Sequence, residues 1–369
     1  MKQSNESNLY IPVQQENEVI PEISELLVEQ WNESLSEFGS SLFISSPWVK
    51  AVTYGDCEPV YLDFIINGQA VAKIAGLVIF GNRLQGKQLY FYAGPSMKEP
   101  DQSLNNRCLK SLLNYAKAKR YSRINIRPWD QQHSLYMDVK GFNRTLTHEF
   151  EINNLGSYPH KKISSRIIRN INKGNKTGAI FRVSTSDNDL IKLLDLIDST
   201  RSRRISKFGI DYTPFYLLNL NKESVKALLM NGMGELLVAE LDGSAQSILL
   251  MVVNGTRAYN LLKGTKQEAY KNGLSSWVDY QAILYYREKG YQCFNLGVEL
   301  AHGEGDGLNI YKDGIGGTRL VKYGGHTYFL FYPRKLLNIV FILGKKIPDN
   351  KVMKVLKIWF SHLFSGSGI

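Results

Sequence analysis

Apolar residues in this chain follow two alternating periods. Strand-like runs occur at 64–66, 70–80, 89–92, 124–126, 238–241, 244–253, 258–262 and 294–296. Helix-like spacing ends before two of them, at 112–119 and 282–289. Asn67-Gly68 and Asp242-Gly243 each separate two strand-like runs and predict tight hairpins. The segment after Gly273 carries Trp277, Tyr280, Gln281, Leu284 and Tyr285 at helical spacing, whose ordinary meaning is core packing.

The pattern repeats. Tyr115, Tyr121 and Asn125 align without gaps with Tyr285, Tyr291 and Asn295, and the two hairpins follow the same order upstream. The second copy has a shorter connection after its hairpin, 254–257 against 81–88, and loops tolerate such differences. Gly141-Phe142 and Gly314-Ile315 hold matching places before a last strand pair. Each half therefore reads hairpin, strand, helix, strand, closing hairpin. This predicts a mixed α/β protein of the α+β kind with two similar domains, 1–158 and 159–332, and a basic tail, 333–369.

Composition agrees with that division. The 369 residues are 43% hydrophobic and 11% aromatic, enough for two cores at roughly 100–200 residues per domain. Cys57, Cys108 and Cys293 lack the paired spacing of a zinc site, and no metal is expected. Their number suits a reducing cytoplasm, and residues 1–15 show no secretory leader. The longest apolar run, 336–343, is too short to span a bilayer. A net charge of +11 predicts attraction to nucleic acid, an acidic membrane face or a phosphate-rich ligand.

Four stretches are more specific: Phe43-Ile-Ser-Ser-Pro-Trp48; Ser164-Ser-Arg166-Ile-Ile-Arg169-Asn170-Ile-Asn-Lys173 with Gly178; Asn272-Gly273-Leu274; and Tyr311-Lys312-Asp313-Gly314-Ile315-Gly316-Gly317. In their order and spacing the chain resembles the Fem-type peptidoglycan aminoacyl-transferases and the BioF-like acetyltransferase-domain proteins. These are duplicated GNAT acyltransferase folds. Where that family shows Phe-Lys and Phe-Gly-Gly, this chain has Tyr311-Lys312 and Ile315-Gly316-Gly317. No long charged heptad pair interrupts the second half, so any tRNA contact would use the globular surface.

The resemblance implies an amine attacking an activated acyl group, carried by acyl-CoA or aminoacyl-tRNA. It also implies two splayed strands that admit the donor beside a helix N-terminus. Lys271, Asn272, Gly273, Leu274 and Ser275 form that candidate donor loop, which is equally readable as a helix cap. Arg166, Arg169 and Lys173 recur at helical spacing and form a candidate anion stripe, in a stretch without acidic residues from Ile152 through Ser186. By resemblance, Arg201 and Lys312 contact substrate phosphate or the reacting carbonyl, with Tyr311 beside them. Glu240, Glu299, His302, Glu304 and Asp306 are the acid and base candidates, with Lys312, Glu299 and Glu304 taken as the catalytic set. The loop Gly303-Glu-Gly305-Asp-Gly307 matches no nucleotide motif and reads as a flexible loop beside the site.

The tail alternates apolar residues with lysine and arginine, and Val352, Leu356, Trp359 and Leu363 share a helical face. It reads either as a segment lying on an anionic inner leaflet or as a helix packed on the second domain. The leading function is an N-acyltransferase acting in the cytoplasm, at or near the membrane, on an amine of a peptidoglycan, polysaccharide or other envelope precursor. Its partners would be a phosphorylated or lipid-linked substrate, with tRNA as an alternative donor. The competing reading is a non-catalytic module that binds a phosphorylated ligand or partner.

Overall fold

A computed structural model describes residues 19–39, 41–208, 215–300 and 306–346. The first half contributes β1 (Glu22–Glu25), α1 (Val28–Leu35), α2 (Ser46–Val52), β2 (Cys57–Ile66), β3 (Gln69–Phe80), β4 (Lys87–Phe91), β5 (Ser96–Met97), α3 (Gln102–Ala118), β6 (Arg123–Ile126) and β7 (Phe142–Asn153). The second contributes α4 (Ser165–Asn175), β8 (Ile180–Ser184), α5 (Asp187–Phe208), α6 (Lys222–Met230), β9 (Gly234–Leu241), β10 (Ser244–Asn254) and β11 (Arg257–Thr265). It continues through α7 (Gln267–Lys271), α8 (Leu274–Glu288), β12 (Cys293–Val298), α9 (Asp306–Gly314) and β13 (Thr318–Thr327), with α10 (Leu337–Lys346) following.

Both hairpins form where Asn-Gly and Asp-Gly predict them. Asn67 and Gly68 take φ of 50° and 77°, Asp242 and Gly243 51° and 70°. Two successive positive φ values match the twist of the flanking strands, and Asn, Asp and Gly tolerate them best. In each half the hairpin leads to a strand, a long helix and a parallel partner strand: β4 beside β6, and β11 beside β12.

The closing hairpins do not form. Each half ends in one long strand that crosses to the other half. β7 pairs with β12, β13 pairs with β6, and β7 and β13 pair with each other from Thr318 opposite Glu151 to Thr327 opposite Phe142. The result is one continuous sheet in the order β1-β2-β3-β4-β6-β13-β7-β12-β11-β10-β9-β8. A cut after residue 158 would separate β7 from both strands it pairs with.

Helices cover both faces. One core lies under α3 and another beneath α4 and α8. A third unites Trp31, Phe43 and Trp48 of the first half with Leu193, Leu228 and Tyr259 of the second. The Phe43–Trp48 stretch belongs here: Phe43 stacks edge-on against Trp48 at 4.6 Å and against Tyr259 at 4.9 Å.

Candidate functional site

The two parallel strand pairs differ where they end. In the first half the ladder stays closed past the last strand residues, with Arg127 N–H donating to Phe91 O at 2.8 Å and Trp129 N–H to Tyr92 O at 3.1 Å. In the second half β11 and β12 pair only from Arg257 opposite Cys293 to Tyr259 opposite Asn295. Beyond that point β11 follows β10 while β12 follows β7, and the strands separate. A register shift between Asn295 and Val298, with Gly297 at φ 83°, marks the fork on β12.

Three polar groups converge there. A Cβ on Gly297 would meet Asn260 O at 3.4 Å, Lys312 Nζ at 3.6 Å and the Tyr259 hydroxyl at 3.9 Å. Lys312 reaches the fork from α9 and donates to Val298 O at 2.8 Å. Burial pulls its ammonium down to about 8, against the opposing influence of Glu149 and Asp279. Its neighbour Tyr311 donates to Asp279 Oδ2 at 2.6 Å, and Lys263 of β11 pairs with the same oxygen at 2.6 Å. Asp279 thus ties α8, α9 and β11 around the opening. Its other oxygen, Oδ1, is buried without a partner among the described residues.

Beneath the fork lies a buried ionic cluster that sequence reading missed. Tyr259 donates to Glu149 Oε1 at 3.0 Å, Asn295 to Glu149 Oε2 at 3.1 Å, and Asp130 N–H to both oxygens at 3.2 and 3.0 Å. Asp130 pairs with Arg257 at 2.6 Å, and Glu151 with Lys322 at 2.5 Å and Arg257 at 3.5 Å. Three carboxylates therefore share two directly paired cations, and Glu149 is the one bonded to neither. Burial and the Asp130 carboxylate push Glu149 up to about 8. Both halves build this cluster: Leu42 N–H, beside Phe43, donates to Asp130 Oδ2, and β7 delivers Glu149 to the opposite half's fork. The one hint in the sequence is the pair Glu149 and Glu151 alternating with the apolar Phe150 and Ile152 near the end of the strand.

The candidate donor loop forms the α7–α8 junction. Gly273 is the N-cap of α8 at φ 75°, without a side-chain cap. A Cβ there would lie 2.2 Å from Asn170 O, so this glycine permits the close crossing of α4 over the helix start. Leu274 is buried, Ser275 is half-buried and accepts from Lys263 at 2.9 Å, and Asn272 ends α7. Arg166, Arg169 and Lys173 do share the exposed face of α4, and the Lys173 ammonium donates to Lys271 O. Arg203 of α5 lies 5.6 Å over the Tyr270 ring. Cations of α4 and α7 thus lie by the start of α8, with Arg203 of α5 over Tyr270 of α7 and Arg201 two residues before Arg203 on the same helix.

Other expected residues are engaged elsewhere. Glu299 is clamped by Arg319 at 2.8 Å and His148 at 2.8 Å. The Arg319 guanidinium holds its carboxyl below the ordinary range, which disfavours it as an acceptor of an amine proton. Glu240 pairs with Arg182 at 2.8 Å. His302, Glu304, the Asp306 side chain and the Gly303–Gly305 stretch lie outside the described residues, as does the tail from 347 onward. Among the described residues no group of His, Cys, Asp and Glu could hold a metal, and no helix is long and apolar enough to cross a membrane.

In the second half a parallel pair opens above a helix N-terminus, as in the GNAT fold, and residues 161–313 match the family model of the acetyltransferase (GNAT) domain. Among solved structures the chain is similar to FemX, with 14% identity, a TM-score of 0.63, and 86% of this chain and 99% of that one covered. It is also similar to L-PGS from Bacillus licheniformis, with 17% identity, a TM-score of 0.54, and 87% and 98% covered. A sequence search among curated proteins finds no match. Residues 161–313 are therefore similar to a GNAT acetyltransferase domain, and the whole chain shares its fold with FemX.

Proposed function

We propose that the chain is an N-acyltransferase whose reaction takes place at the β11–β12 fork. The observation that carries this reading is the asymmetry between the halves: only the second parallel pair opens, and the opening holds a buried ammonium above a buried carboxyl. The donor is a CoA thioester or an aminoacyl-tRNA ester. Its phosphates lie along the start of α8 among Arg166, Arg169, Lys173 and Lys271, where helix amides and side-chain cations act together.

The acceptor amine adds to the acyl carbon, the carbonyl π bond shifts onto oxygen, and Lys312 donates to the resulting oxyanion. The ammonium proton passes to the Tyr259 hydroxyl, which gives its own proton to Glu149. Collapse of the intermediate forms the amide and breaks the C–S or C–O bond. The leaving thiolate or alkoxide takes a proton returned by the same route. Acyl-CoA is favoured as donor because no clasping arm interrupts the second half. The basic surface suits a phosphorylated or lipid-linked envelope precursor as acceptor.

The test is to incubate the protein with labelled acyl-CoA or aminoacyl-tRNA and amine acceptors, following amide formation. Transfer that falls by on the order of a hundredfold in Lys312→Met supports the reading. Ligand binding with no turnover for any donor supports a non-catalytic module instead.

A further inference from the structure

Residues 80–87 and 332–342 are far apart in sequence but adjacent in the fold. Arg334 donates to Arg83 O at 3.2 and 2.9 Å and lies against Gly86, where a Cβ would sit 2.7 Å from its Cζ. The two segments leave Phe80, Leu84, Tyr332, Leu336, Ile339 and Ile342 in solvent, from 39% exposed at Phe80 to 69% at Tyr332. These side chains are not needed to hold α10 in place. Asn338 already exchanges hydrogen bonds with both backbone groups of Phe329 at 2.9 Å, and Phe341 stacks on the Phe329 ring at 6.2 Å. Leu336 and Ile339 stay 56% and 57% exposed, and Ile342, on the edge of the face that carries Asn338, 41%.

The surroundings are mostly cationic, with Asp56, whose carbonyl accepts from Phe80 N–H at 2.8 Å, and Glu58 on the neighbouring strand as the acidic exceptions. Lys87 lies over the Phe80 ring at 4.9 Å, Arg120 over Phe331 at 5.4 Å and Lys335 over Tyr332 at 5.6 Å, with Arg83 and Arg334 between them. Neither 80–87 nor 328–346 contains an acidic residue, and 347–369 adds Lys351, Lys354 and Lys357 against Asp349 alone. Six exposed apolar side chains on two segments joined through Arg334, Arg83 and Gly86 point to an interaction site. A two-fold contact with a second copy would press this ring of cations against itself, which like-charge repulsion opposes.

We propose that this surface docks on an anionic lipid bilayer. The apolar side chains enter the headgroup boundary, Tyr332 sits at its level, and the arginines and lysines meet lipid phosphates. The proposal is independent of the transfer chemistry, and either can fail without the other.

The experiment mixes the full chain with vesicles of phosphatidylcholine alone and of phosphatidylcholine with phosphatidylglycerol, then sediments them. Binding is expected to the anionic vesicles and to fall as salt is raised. Leu336→Gln with Ile339→Gln is expected to weaken it by about tenfold or more. Arg83→Gln and Lys335→Gln should each weaken it by about fivefold. Ile180→Gln, on the exposed edge strand β8, is the folding-neutral control and should leave binding unchanged. The proposal is overturned if the anionic vesicles do not retain the protein or if the apolar pair of substitutions has no effect. It is also overturned if ending the chain after Pro348 alone abolishes binding, or if Leu336→Gln with Ile339→Gln converts a dimer to a monomer.

Discussion

Replacing Glu149 by Gln tests the buried cluster without assuming any activity. In the folded protein the carboxyl is pushed up to about 8, far above its ordinary 4.5. The native state therefore keeps a proton that the unfolded chain releases throughout that interval. Stability is highest at the acidic end, falls as pH rises through about 8, and then levels off. At about 1.4 kcal/mol for each tenfold change in proton affinity, the ceiling on this decline is roughly 5 kcal/mol. The Lys312 contribution has the opposite sign and begins only above about 8, so the two windows separate.

The Gln variant cannot titrate. Its amide also turns an NH2 toward Asn295 Nδ2, where Glu149 Oε2 now accepts at 3.1 Å, which costs about 1–3 kcal/mol relative to the protonated wild type. Denaturant unfolding from pH 5 to 9 should thus show a flatter curve for Glu149→Gln, below the wild type at pH 5 and crossing above it toward pH 9. A wild type without the decline, or a variant that retains it, refutes the assignment of the buried proton to Glu149 and removes the proton path built on it.

Further predictions concern the same region. Initial rates of acyl transfer should rise with pH toward about 8 as Glu149 gives up its proton and fall above it as Lys312 does, with the acidic limb missing in Glu149→Gln. Lys312→Met should lower kcat by on the order of a hundredfold while circular dichroism and donor affinity stay near wild type. Arg257→Met leaves Asp130 without its 2.6 Å partner and should cost about 3–5 kcal/mol in urea unfolding. Gly273→Ala forces a Cβ to 2.2 Å from Asn170 O at φ 75°, so its thermal midpoint should drop and the α4–α8 crossing should loosen, seen as faster amide exchange in both helices.

Much of the local architecture was legible along the chain. Asn67-Gly68 and Asp242-Gly243 announce their turns because few residues accept two successive positive φ values. The aligned Tyr115 to Asn125 and Tyr285 to Asn295 stretches revealed the duplication because helix, turn and buried strand each demand particular residues. The motif from Tyr311 to Gly317 drew attention to Lys312, and the helical spacing of Arg166, Arg169 and Lys173 put them on one exposed face.

The exchange of β7 and β13 was not legible, because strand pairing across 170-odd residues leaves no local periodicity and a lone strand reads like half of a hairpin. Nor was the role of Glu149. In the chain it is one more polar residue beside an apolar one. Only the crossing of β7 into the other half takes it out of water and sets it under Tyr259, and burial next to Asp130 then changes its acidity. Glu299, equally prominent in sequence, stays acidic because the fold gives it Arg319 and His148. Local sequence determined turns, helices and the repeat through short-range sterics and periodicity. Tertiary structure decided which carboxyl is desolvated, because dielectric environment and charge pairing depend on what distant segments bring together.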